Sequence, residues 1–238
     1  MLLPTPTVER MAAQLARWRA CDDRRAIFLD CYLRMTRNML TALATGEFAD
    51  AVWVTHLLHR FADYYFDALT SYKQGDAAPA VWQVAHDAAR QPKLLTLQNL
   101  LLGVNAHINY DLVLVVAELL QPEWQQSSEG QRRQRHADYT RVNAIIARTI
   151  DAVQDEIVEP DAPALRIVDL LLGRLDEWAT VQVIGGWREE VWRQALDMLA
   201  APTADQREAL RSRVEAATLR KAAWMLGHPR TPAWPQES

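Results

Sequence analysis

His107 and Asp111 stand four positions apart in the run LLLGVNAHINYDLVLVV, residues 100–116. On a helix that spacing puts an imidazole and a carboxylate on one face, one turn apart. Such a pair can present a nitrogen and an oxygen to one cation. It can move protons without a metal, or it can close on itself as a private hydrogen bond. Gly103 shares that face and Tyr110 borders it, while Asn105 and Asn109 point to the opposite side. Leucines and valines flank the island, so both sides are expected to be buried, and buried polar groups need partners. Gly103 in mid-helix costs about 1 kcal/mol relative to alanine. It makes sense where another helix or a ligand comes close.

Two further runs carry residues that could join this pair. THLLHRFADYYFDAL, residues 55–69, repeats the spacing with His59 and Asp63. Its polar face, with His56, Arg60 and Asp67, also reads as a solvated charged surface. HADYTRVNAIIARTIDAVQDEI, residues 136–157, sets Asp138, Tyr139 and Asn143 towards an apolar stripe. Asp138 can equally serve the helix dipole, and Asn143 reads as a buried hydrogen-bonding group. Arg188 and Arg193 could bind an anionic group, but Glu189 and Glu190 beside them suggest a surface.

The elements that must position these groups are helical. Apolar residues recur every three or four positions, glycine is rare at 8 residues, and period-two β-branched runs are absent. About seven to eight helices are expected. The first follows Thr7 as N-cap and ends near Ala20; the second starts near Asp22–Asp23 and stops before Gly46. The third spans about Asp50 to Tyr72, and a short fourth has Pro79 in its first turn. The fifth covers 94–120, the sixth about 131–158 and the seventh 164–199, unbroken or interrupted near Gly185–Gly186. The eighth begins at Thr203–Asp205 and ends before Gly227. The reading is one all-α domain, a helical bundle over 1–228, with an irregular tail at 229–238.

Composition narrows the classes. The 238 residues are 50% hydrophobic and carry a net charge of -4, without the basic surplus of a nucleic-acid binder. Cys21 and Cys31 lack a metal-finger spacing and read as buried small side chains in a reducing, cytoplasmic setting. No charged leader precedes an apolar run, so a secretory signal is not expected. Polar residues at the centre of 94–120 argue against a transmembrane span. Nine tryptophans point to core packing or an apolar cavity. Phosphate loops, nucleophile elbows, HExxH and the ExxH of di-iron bundles are all absent.

The blocks LLLGVNAHINYDLVLVV, HRFADYYFDAL and DYTRVNAII together resemble a mostly bacterial family of unknown function marked by an N-A-H-I-N-x-D-L helix. The likeness spans roughly 10–225. It implies that His107, Asn109 and Asp111 matter, and it brings no activity. A fainter likeness is to the all-helical zinc-dependent phospholipase C and nuclease group, whose ligands include a helix bearing HxxxD. This chain lacks a second histidine soon after Asp111 and the N-terminal tryptophan of that group.

Three functions follow as expectations. The first is a metal-dependent hydrolase of a small or lipid-like molecule, with zinc, iron or manganese held by His107, Asp111, His59 and Asp63. His107, Asp111, Asp138 and Tyr110 would be its catalytic groups; Asn105, Asn109, Asn143 and Tyr64 would contact substrate. The second is a metal-free lyase, cyclase or isomerase working through the His107–Asp111 pair. The third is a non-catalytic binding or scaffold protein with a buried polar network.

Overall fold

The computed structural model describes residues 5–157 and 177–227, and the described residues are all-α. Helix α1 spans Pro6–Ala20, α2 Ala26–Ala44, α3 Ala51–Gln74 and α4 Ala80–Ala89. One long rod follows: α5 (Thr96–Ala106), a π-helical turn (His107–Asp111) and α6 (Leu112–Leu120). Then come α7 (Glu129–Ile157), α8 (Glu177–Ala200) and α9 (Ala204–Met225). The beginning of the expected seventh helix and the 229–238 tail lie outside the described residues. The described part of that helix runs unbroken through Gly185–Gly186.

Local chemistry sets the boundaries. Thr5, rather than Thr7, caps α1: its hydroxyl accepts from the Val8 N–H, and Pro6 takes the first turn, where a missing N–H costs nothing. Asp22 and Asp23 precede α2 instead of opening it. The Asp23 carboxylate accepts from the backbone and guanidinium of Arg25, and Asp22 takes a left-handed φ of 51°. Asp50 caps α3 through the Trp53 N–H at 2.9 Å, and Gly75, at φ 75°, ends it.

The rod is the centre of the core. Val113, Val115, Val116 and Leu120 are fully buried in it. Helices α2, α3, α4, α8 and α9 all pack on it, and α7 closes against α2 and α8. By length and mean hydropathy (1.6 over 18 residues) the rod reaches what a membrane crossing requires, despite its polar centre. Of that window 67% is buried in the protein, as a core helix would be.

Gly103 is where the rod meets α2. A Cβ there would sit 2.5 Å from Cγ of Phe28. The close neighbour expected from this glycine is therefore a helix side chain.

Candidate functional site

The π turn carries the polar island. The Leu112 N–H reaches back five residues to the His107 carbonyl, so one extra residue is looped into the rod. On one side of the turn, His107 Nδ1 lies 3.0 Å from Asp111 Oδ2. The indole N–H of Trp82 donates to both Asp111 oxygens, at 2.9 and 3.1 Å. Aromatic rings enclose the imidazole: Phe61 stacks on it at 3.5 Å between centroids, and Tyr32 meets it edge-on at 4.4 Å.

His107 and Asp111 are almost wholly buried, and no cation pairs with the carboxylate among the described residues. Burial drives the imidazole pKa well below its ordinary value and the carboxyl pKa well above its own. The surrounding rings would favour an imidazolium by about 2 kcal/mol or more, while burying an imidazolium–carboxylate pair costs several kcal/mol for each of its two ions. The pair therefore rests uncharged. The Asp111 O–H donates to Nδ1, and the ring's other proton sits on Nε2. That Nε2 is buried and has no hydrogen-bond partner among the described residues.

His107 forms part of the wall of a cavity of about 170 Å³ between α2, α3, the rod, α7 and α8. The wall is mostly apolar, with Phe28, Leu57, Phe61, Ile108, Val142 and Ile184 among its members. Polar wall groups are few. Thr36 and Thr149 return their hydroxyl protons to their own helices, at the Tyr32 and Ile145 carbonyls. Cys31 keeps its thiol protonated, because burial pushes its pKa up to about 11. Cys21, by contrast with the sequence expectation, is exposed. Tyr32 and Arg188 complete the polar set.

The opposite side of the turn faces α9. Asn105 donates to the Thr218 carbonyl at 3.0 Å, and Asn109 donates to Asn105 Oδ1 at 3.0 Å. Lys221 donates to Asn109 Oδ1 at 2.7 Å, and the Thr218 hydroxyl to the Asn109 carbonyl at 3.1 Å. These groups satisfy one another and fix the register of α9 on the rod. Tyr110 leaves on this side too; its hydroxyl accepts from Arg211 at 3.0 Å.

The remaining sequence candidates stand apart. His59 pairs with the Thr7 hydroxyl at 2.7 Å, and Asp63 with Arg10 at 3.7 Å, half-exposed. Among the described residues no three His, Cys, Asp or Glu side chains gather as a metal site. Asp138 accepts from the backbone N–H groups of Ala49 and Asp50, at 2.8 Å each. Tyr64 donates to Glu118 at 2.8 Å, away from the cavity. Asn143 reaches the site indirectly, accepting from Arg188 Nε at 2.7 Å. Sequence reasoning missed Trp82 and Tyr32, and it set Arg188 on the surface, where the structure buries it to 4% exposure. The signal for Arg188 was present: with Val191, Trp192 and Ala195 it makes one apolar stripe at helical spacing.

The chain belongs to the family of unknown function DUF5995, whose pattern matches residues 5–228. No curated protein and no solved structure matches it.

Proposed function

We propose that this member of the family is a metal-free acid–base enzyme, an isomerase or lyase. His107 is its proton-transfer group, and a compact, mostly apolar molecule in the cavity is its substrate. One observation carries the reading: a buried imidazole at the cavity wall has one nitrogen fixed by Asp111 and the other unpartnered. That is the arrangement of an oriented acid–base group, with Trp82 and Asp111 as its positioning residues. When Nε2 gives its proton to the substrate, the Asp111 proton crosses to Nδ1. The resulting carboxylate keeps both indole hydrogen bonds. A different proton then leaves the substrate for Nε2 and Nδ1 returns its own to Asp111, which restores the pair, so the imidazole never carries a full charge.

Size limits the substrate. A cavity of 170 Å³ is close to the engineered one of about 150 Å³ that takes benzene, so a ring or a short chain fits inside it. A metal-dependent hydrolase gains less support. His59 and Asp63 are engaged elsewhere, and Nδ1 is committed to Asp111.

The test is deuterium incorporation. Protein dialysed against EDTA is incubated in D₂O with acetophenone, cyclohexanone and phenylacetaldehyde, and exchange is followed by proton NMR. At least one probe should exchange faster than in buffer, and His107→Asn should slow it by roughly 10²–10⁴-fold while keeping its far-UV dichroism. Exchange that dies on chelation and returns with zinc would move support to the hydrolase. Exchange untouched by His107→Asn would sink the proposal.

A further inference from the structure

We propose that the cavity's ligand is an organic anion, a compact monocarboxylate whose carboxylate pairs with Arg188. This rests on the reading of the cavity as a ligand site and adds the chemical class of its occupant.

Arg188 is a buried cation without a described counterion. Its guanidinium lies over the Tyr139 ring, 4.2 Å from the centroid. Nε donates to Asn143 Oδ1 and Nη2 to the Tyr139 carbonyl, both at 2.7 Å. The Tyr139 hydroxyl donates back to the Arg188 carbonyl at 2.7 Å, which locks the two residues together. Every one of these partners is neutral. The neighbouring carboxylates are occupied, Glu189 by His136 and Glu190 by Arg193 and Gln194. Among the described residues Nη1 donates to nothing.

A guanidinium offers five N–H donors in a planar fork that matches a carboxylate. Burying that charge against neutral acceptors alone is unfavourable, and an anion in the adjoining space restores the balance. Burial also lowers the Arg188 pKa, which marks the same deficit. The space beside it is the cavity that His107 lines, and its wall is otherwise suited to hydrocarbon. A carboxylate head on a ring-sized or short-chain body meets both demands, and its volume agrees with that of the cavity. Arg188 and His107 then line one space that holds one small molecule.

The experiment compares isosteres. Binding of benzoate and benzamide to the full chain is measured by calorimetry at fixed ionic strength. Benzoate should bind at least tenfold more tightly. Arg188→Gln should erase the difference, with the larger loss on benzoate. Should that variant fail to fold, Asn143→Asp carries the comparison, because it sets a carboxylate where Nε now finds an amide oxygen; it too should erase the preference. Equal binding of the two probes to the wild type would overturn the anion inference and leave the cavity reading standing. A preference that survives in either folded variant would overturn it as well. Binding of neither probe would remove the cavity reading and this inference together.

Discussion

At Gly103 one hydrogen atom decides how closely two helices approach. A methyl carbon placed 2.5 Å from the Phe28 ring cannot be relieved by a flexible chain end, because the ring is itself wedged against Tyr65, Trp82 and His107. Gly103→Ala should therefore destabilise by about 1–3 kcal/mol, the usual cost of overpacking, despite alanine's better helix propensity. Urea denaturation would measure it, and Phe28→Leu in the same chain should recover part of the loss. The glycine was legible as a point of close approach; its partner was not, because nothing in a sequence 75 positions away ties Phe28 to it. The same holds for the site. His107 and Asp111 announce themselves by spacing, whereas Trp82, which holds the Asp111 carboxyl, comes from another helix.

Helices were easier to read than their junctions. Periodicity and glycine or proline punctuation place α3, α7 and α9 within a few residues of where they lie, since each buries one stripe and the stripe dictates the period. The π turn was not legible: its extra residue repeats the same apolar composition and leaves no mark in local pattern. Asp138 shows how an element can serve another. It sits well inside α7, so its carboxylate caps nothing of its own, and instead holds the N–H groups that lead into α3. Asp138→Ala should cost about 1.5–3 kcal/mol, the range for hydrogen bonds to a charged group. Asp138→Asn, which keeps one acceptor oxygen, should cost less. Thermal denaturation of the two variants would check the order, and a silent Asp138→Ala would refute the capping role.

The whole molecule integrates its buried titrations into one pH profile. Burial, reinforced by Arg25 and Lys73 and opposed by Asp23, lowers the His86 pKa from 6.5 to about 3. Native His86 thus stays neutral where the unfolded chain would protonate. Its contribution is complete above 6.5 and falls by about 1.4 kcal/mol per unit as the pH drops towards 3. His107 has the same sign. Asp111 has the opposite one: its native carboxyl stays protonated, so its contribution is full below the unfolded value of 3.8 and is lost as the pH rises. Between 3.8 and 6.5 the native pair lacks one proton at His107 and holds one extra at Asp111, and the two cancel. His86 then governs the acid limb until Asp50 and Glu118, held down by Arg135 and Arg60, join it. Above 6.5 the Asp111 contribution stands alone and stability declines. Urea midpoints from pH 4 to 9 should peak near 6.5; His86→Phe should flatten the acid side and Asp111→Asn the alkaline side. A wild-type profile that is level above the peak would contradict the protonated carboxyl.

The five-residue turn at the middle of the rod has a geometric consequence for its two halves. Each residue advances an α-helix by about 100°, so the looped-in position offsets everything after Asp111 by that angle relative to an unbroken helix. The stripe that α5 shows to α2 and the stripe that α6 shows to α3 and α8 belong to different phases of one rod. A single deletion between Gly103 and Leu112 would bring those phases back into step and swing the far half away from its neighbours, so here length is constrained as tightly as residue type.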